Sequence, residues 1–236
     1  MQYCEITHKG LVRTTNQDTL IIDKNIYGVA DGMGGHKGGK TASDLASSLI
    51  KKALLDKTPC EKTLQTAISL VNNRIHQTSI GDEELTGMGT TLCFLWEAKN
   101  EILVANVGDS RAYLLRNEQF SQITQDHSVV AELLRNNVIS KETAKIHPYR
   151  NVLTKAIGID CIINADIFHY DKQIGDRWLI CSDGLFSMLD DEVIKQVIST
   201  NTLENSCDIL LEKTLEAGAT DNVTIVLTEV VEDNNL

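Results

Sequence analysis

Proline is scarce, Pro59 and Pro148 being the whole complement, and no Pro-, Gly- or Ser-rich tract, low-complexity stretch or internal repeat interrupts the chain. A sequence without such stretches offers no place to divide, so a single domain over residues 1–236 is expected, ending in a short polar tail at about 232–236. There is no run of 18 apolar residues and no basic-then-apolar leader, which excludes a transmembrane helix and a secretory signal from expectation. Cys4, Cys60, Cys93, Cys161, Cys181 and Cys207 form no C-x-x-C pair and have no histidine at zinc-finger spacing. They read as buried thiols in a reducing compartment, and a cytoplasmic protein is expected. Positive charge is also in deficit: 22 Lys and Arg stand against 33 Asp and Glu, a formal charge of −11. That balance opposes non-specific binding to nucleic acid or anionic membrane, so neither is an expected partner, whereas an acidic excess can include a cation-binding cluster.

Two kinds of catalytic signature are missing as well. A cysteine phosphatase needs an arginine six positions after its thiolate, and the residues there are Gly10, Thr66, Lys99, Ile167, Ser187 and Lys213. No H-E-x-x-H occurs among His8, His36, His76, His127, His147 and His169, so a zinc hydrolase is unsupported. Gly108-Asp109-Ser110-Arg111-Ala112 is near a nucleophile elbow, but that motif needs a strand-to-helix turn and a strand is predicted after Ser110.

What is present is an ordinary globular composition, 42% apolar and 23% charged in 236 residues. Ala42, Leu45, Ala46, Leu49, Ile50 and Ala53, then Leu64, Ala67, Ile68, Val71 and Ile75, recur at three- and four-residue spacing and predict two successive amphipathic helices. Short apolar runs at 91–96, 102–107 and 112–115, broken by Lys-Asn, Gly-Asp and Arg-Asn, predict an antiparallel meander. A helix near 128–136, strands near 162–170 and 177–182, helices near 190–199 and 204–216, and a final strand at 223–230 follow. Paired helices and grouped strands argue for an α+β architecture of two mainly antiparallel sheets with helices outside.

The aspartates carry the chemistry. Apolar strands run into Asp31-Gly32, Gly108-Asp109 and Asp183-Gly184, while Asp18 and Asp221 immediately precede two others. If those strand ends meet, five carboxylates converge at one rim and need a cation to offset their repulsion. An all-oxygen cluster selects a hard ion such as Mg²⁺, Mn²⁺ or Ca²⁺. Asp-Gly and Gly-Asp are also ordinary turn dipeptides, which is the bland reading of each site taken alone.

Gly34-Gly35-His36-Lys37-Gly38-Gly39-Lys40-Thr41 matches the G-x-x-x-x-G-K-[ST] phosphate loop and sits between a predicted strand and helix. The helix-helix and strand-turn-strand order that follows does not supply the parallel crossovers a nucleotide-binding fold requires. On the preferred reading the glycines let the backbone pass close to a metal site, and Lys40-Thr41 open a helix.

Eight segments resemble, in order, the metal-dependent type 2C Ser/Thr protein phosphatase (PPM) family in its bacterial form. They are Arg13-Thr-Thr-Asn16-Gln17-Asp18, Val29-Ala-Asp31-Gly32-Met33-Gly34-Gly35, Gly89-Thr90-Thr91, Asn106-Val-Gly108-Asp109-Ser110-Arg111, Gln125-Asp126-His127-Ser128, Asn151-Val-Leu153-Thr154-Lys155-Ala156-Ile-Gly158, Ser182-Asp183-Gly184-Leu185 and Gly218-Ala-Thr220-Asp221-Asn222-Val223-Thr224. The resemblance implies a four-layer α-β-β-α sandwich with its metal site at one end, and a flap at about 130–150 that influences substrate choice. It implies hydrolysis of phosphoserine and phosphothreonine in proteins by water activated between two tightly bound Mn²⁺ or Mg²⁺ ions, reversing a Ser/Thr kinase; a monomer is expected, although no residue pattern speaks to oligomeric state. Asp31 would bridge the ions, with the Gly32 carbonyl on the first and Asp183 and Asp221 on the second. Asp18 would hold metal-bound water rather than a metal, and Arg13 would grip the phosphate with its planar fork. Asp109 with Asp183 would make a third, weaker metal site. Met33 departs from the many eukaryotic members that carry His after Asp-Gly, so no general acid carries over there; His36 is expected to pack or meet solvent. A non-catalytic module binding metal or phosphopeptide is the competing reading.

Overall fold

Strands covered on both faces read as nearly continuous apolar runs, and that is how the central strands of this chain are written. The computed structural model describes residues 1–35 and 37–232; His36 and most of the polar tail lie outside them. Strands β1 (Gln2–His8), β2 (Asp18–Asp23) and β3 (Ile26–Met33) precede helices α1 (Gly38–Leu54) and α2 (Glu61–Gly81). Strands β4 (Gly89–Thr90), β5 (Leu92–Glu97), β6 (Glu101–Val107), β7 (Arg111–Arg116) and β8 (Gln119–Gln122) follow, then short helices α3 (Val129–Arg135) and α4 (Lys141–Lys145). The chain continues through β9 (Asp166–Asp171), β10 (Arg177–Cys181), α5 (Asp183–Phe186), α6 (Asp191–Thr200), α7 (Leu203–Glu216) and β11 (Val223–Glu229).

One sheet has the order β1-β11-β10-β7-β8 and the other β2-β3-β5-β6-β9, with β4 pairing β3. Every strand pair is antiparallel. Because successive side chains point to opposite faces, β5 sends Leu92, Phe94 and Trp96 towards α1 and α2, and Cys93 and Leu95 towards the other sheet. Ala42 and Ala46 let α1 lie close on its sheet, beside Leu64, Ile68, Val71 and Ile75 of α2. On the far side α6 and α7 bury Ile194, Val197, Ile198 and Leu210 against Leu179, Ile225 and Leu227. The result is the α-β-β-α sandwich, whose middle layer contains Tyr27, Leu95, Val104, Trp178, Ile180 and Val226. Removing a ring from these layers, as in Phe94→Ala, would cost about 3–5 kcal/mol.

Several expectations change. The strand expected at 162–170 begins at Asp166, and Ile162 is exposed, so its apolar side chain gave a false strand signal. Helix α1 opens earlier than the apolar period implied, on Gly38 and Gly39, which are buried although they carry no side chain to show it. Strand β3 continues two residues past Asp31, paired at Gly32 and Met33 with β4. The cysteines are not uniformly buried thiols: Cys93 and Cys181 are buried, Cys60 and Cys161 are exposed, and Cys4 of β1 is joined to Cys207 of α7. That pairing is invisible to spacing because α7 packs on β1 across a separation of 203 residues. Among the described residues no helix is long and apolar enough to cross a membrane.

Candidate metal centre

The β2–β3 register sets Asp18 directly opposite Asp31 at one end of the sandwich. Asp18 is buried, and its Oδ2 accepts from Ser182 Oγ and Thr224 Oγ1, each at 2.7 Å. Those hydroxyls belong to the other sheet, where Ser182 N–H donates to Thr224 O at 3.0 Å and Thr224 N–H returns to Ser182 Oγ at 3.0 Å. Thr7 Oγ1, 2.7 Å from Thr224 Oγ1 and itself receiving Asn16 Nδ2–H at 2.9 Å, completes a relay of hydroxyls ending on the carboxylate. Asp18 Oδ1 has no protein partner. A buried carboxylate oxygen left bare costs free energy unless water or an ion meets it.

Asp31 is fixed through its backbone. Its N–H donates to Thr91 Oγ1 at 2.9 Å, and its carbonyl accepts from Thr91 N–H at 2.8 Å and Thr90 Oγ1 at 2.9 Å. Thr91 Oγ1 also lies 2.7 Å from Ser110 Oγ, so the same threonine ties Asp31 to the turn that carries Asp109. Gly32 has to be glycine because a Cβ would run into the Gly39 carbonyl at the start of α1. Gly184 makes the same close approach to the Asn222 carbonyl, which draws Asp183 towards Asp221. Asn222 then organises the opposite wall: its Nδ2 donates to Lys9 O at 3.0 Å and Thr15 O at 2.9 Å, and its Oδ1 accepts Gln17 N–H at 2.8 Å. The loop thus anchored presents Arg13, whose Nη2 reaches Asp221 Oδ2 at 2.7 Å.

The five carboxylates act on one another. Burial, then Asp18, Asp183 and Asp109, push the Asp31 carboxyl well above its ordinary range. Asp183 is raised likewise by burial, then Asp109, Asp221 and Asp18, with Arg13 opposing. Asp18 rises chiefly through burial, which its hydroxyl donors only partly offset. Asp109 is pushed up to about 6 by burial and by Asp126, itself paired with Arg111 at 2.7 Å. Asp31, Asp109, Asp183 and Asp221 nevertheless keep part of their surface open, leaving the rim accessible.

Among the described residues no three Asp, Glu, His or Cys side chains close on a common point on their own. The rim gathers all five predicted aspartates in one field without closing a cage. A hard cation still fits this donor set: the carboxylates repel one another, Asp18 keeps a bare buried oxygen, and every donor is oxygen. Lys40, the lysine of the phosphate-loop match, is spent elsewhere, with Nζ donating to Asp18 O at 3.1 Å and Thr19 Oγ1 at 2.9 Å and pairing with Asp44 at 2.9 Å. Met33 offers no titratable group, and His36 lies outside the described residues. Ser182, Thr224, Thr91 and Asn222 went unassigned in the sequence. Their only signal was adjacency to Asp183, Asp221 or Gly-Thr motifs, since hydrogen bonding across two sheets leaves no period to read.

The sequence matches the protein phosphatase 2C family profile over residues 12–218. It is 40% identical over 235 residues to the serine/threonine phosphatase stp of Listeria monocytogenes, covering 94% of this chain and 93% of that protein. The crystal structure of the serine/threonine phosphatase Stp1 from Staphylococcus aureus superimposes with a TM-score of 0.91 at 32% identity, over 98% of this chain and 95% of that one. The catalytic domain of the phosphatase PstP, crystallised with 2 manganese ions, superimposes with a TM-score of 0.90 at 32% identity, over 98% of each chain.

Proposed function

Since the chain belongs to the protein phosphatase 2C family and is a metal-dependent serine/threonine protein phosphatase, we propose that the carboxylate rim is where phosphoserine and phosphothreonine of phosphoproteins are hydrolysed, reversing a Ser/Thr kinase. Asp31, the Gly32 carbonyl, Asp183 and Asp221 would hold two Mn²⁺ or Mg²⁺ ions, and Asp109 with Asp183 a third, weaker one. Such ions supply Lewis-acid charge and a water acidic enough to act as nucleophile near neutral pH.

The protein's own part is positioning and charge. Asp18, opposite Asp31 and held through one oxygen by Ser182 and Thr224, keeps its other oxygen to accept a hydrogen bond from water and orient it. Arg13 is half exposed and spends one amino group on Asp221, so the rest of its planar fork remains to take phosphoryl oxygens. That charge is worth most as the phosphoryl group expands in the transition state. Direct attack by water is the reading, because the Ser182 hydroxyl is spent on Asp18 and on Thr224 N–H, and no phosphoenzyme is needed.

The observation that carries this reading is placement: Asp18 stands opposite Asp31 across the β2–β3 register, the close approach of Gly184 to the Asn222 carbonyl brings Asp183 beside Asp221, and Arg13 reaches Asp221 from the facing loop. Asp31→Asn should lower kcat on a phosphothreonine peptide at least about a hundredfold, the scale of losing one preorganised electrostatic partner. Wild-type turnover by that variant would remove Asp31 from the site. A chain that binds such peptides with no turnover at all would be the non-catalytic module instead.

A further inference from the structure

We propose that His127 is a positioning residue that clamps the Gly108 peptide and so sets the turn carrying Asp109; its link to the metal centre rests on the reading of Asp109 given above. His127 is buried and takes both polar groups of Gly108: its Nδ1 accepts Gly108 N–H at 3.1 Å, and its own N–H donates to Gly108 O at 3.0 Å. A backbone N–H can only donate, so Nδ1 carries the lone pair and the ring proton sits on Nε2. Nε2–H then donates to Asp166 Oδ2 at 3.1 Å. Lys155 Nζ lies 3.3 Å from Asp166 Oδ1, and its 3.4 Å approach to Nε2 places two donors on one carboxylate. The ring is therefore fixed in tautomer and orientation by Asp166, and its acceptor face is spent on Gly108. Burial, the leading influence, holds the imidazole below its ordinary pKa, which suits a neutral acceptor.

Gly108 has no slack. Its φ of +107° belongs to glycine, and a Cβ there would lie 2.6 Å from Thr91 Cγ2. The turn is thus pressed between Thr91, which also holds the Asp31 peptide, and His127, which holds the Gly108 peptide. Asn106 Nδ2 reinforces the arrangement, donating to Gln125 O at 3.1 Å and Gly108 O at 3.3 Å. Removing the imidazole acceptor would leave a buried N–H unpaired, which the turn can relieve only by rotating, and Asp109 rotates with it. His127 also reaches into the following segment, since its carbonyl accepts Thr154 N–H at 2.9 Å and Ser128 bridges to Leu153.

Two amides separate the bonds of the ring. In His127→Asn the Oδ1 stands where Nδ1 stood and can take Gly108 N–H; in His127→Gln the amide reaches the Nε2 position and serves Asp166 instead. Amide hydrogen exchange of Gly108, followed by NMR in the magnesium-loaded protein, should match wild type within about threefold in Asn and quicken at least tenfold in Gln, the factor set by about 1.4 kcal/mol. Mn²⁺ titration by electron paramagnetic resonance should show the tight ions kept in both, with the weakest Mn²⁺ class loosened at least tenfold in Gln alone. Equal exchange in the two variants overturns the clamp, and quickened exchange with unchanged Mn²⁺ binding overturns its consequence for Asp109. Asp109→Ala run alongside separates the two ideas: if it leaves the weak class intact, the reading of Asp109 fails, while Gly108 exchange still decides the clamp. Should His127→Gln fail to fold, His127→Asn decides alone, because faster Gly108 exchange in a variant that keeps the acceptor contradicts the proposal.

Discussion

Arg13 and Asp221 meet at 2.7 Å across the mouth of the rim, joining the loop anchored by Asn222 to the turn before β11. The contact raises the arginine pKa, first through the hydrogen bond to Asp221 and then through its charge, so the guanidinium stays protonated at any working pH. Half-exposed pairs of this kind add little stability, which makes a functional use the better account of the arrangement.

Arg13→Ala should therefore lower kcat/KM for a phosphothreonine peptide about 10- to 100-fold, from the loss of charge-assisted hydrogen bonds worth about 1.5–3 kcal/mol. Mn²⁺ binding should not weaken, because a cation beside Asp221 opposes a second one. Unchanged steady-state constants would sever Arg13 from substrate binding.

Stability of the chelated protein should respond to pH through Asp109. Its folded pKa is pushed up to about 6, above the unfolded value of about 3.9, so the group favours the fold while protonated and loses that contribution as pH rises through this window. Asp109→Asn should melt with wild type below about pH 4 and above it, by at least a few degrees, once the pH exceeds about 6, given about 2–4 °C per kcal/mol. Superimposable melting curves at pH 7 would mean that Asp109 feels no repulsion from its neighbours.

Ser182→Ala tests how Asp18 is held. It strips one donor from Asp18 and the acceptor of Thr224 N–H, and should cost about 1–3 kcal/mol in chemical denaturation. A loss under about 0.5 kcal/mol, the range of unremarkable surface changes, would show that the hydroxyl relay is not what joins the two sheets there.

Much of this rim was readable because an aspartate next to a strand end leaves a local mark: an apolar run, then Asp-Gly or Gly-Asp. The sheets and their flanking helices were readable for the same reason, since periods of two and of three to four survive in a linear sequence. What joins the elements was not. Ser182 and Thr224 reach Asp18 from the other sheet, 164 and 206 residues away, and His127 meets Gly108 through a side chain whose partner no period announces. Strand β1 went unread because its side chains are exposed or only half-buried, with no buried residue to mark an alternating face. The phosphate-loop match misled for a local reason: Gly39 and Lys40 fit the motif, yet they serve the close packing of α1 on β3 and the tether from Lys40 to β2.

Lys40→Ala should accordingly leave turnover within about threefold of wild type and cost no more than about 1.5 kcal/mol, the net worth of a typical hydrogen bond. ATP should show no saturable binding dependent on Lys40. Tight nucleotide binding that vanishes in this variant would restore the phosphate-loop reading.

The most direct test of the whole account is hydrolysis of a phosphothreonine peptide by the purified chain before chelation, after exhaustive chelation, and after Mn²⁺ or Mg²⁺ is returned. Because the proposed ligands are all oxygens, activity should vanish on chelation and recover on adding either ion. Full turnover by the thoroughly chelated protein would contradict the account.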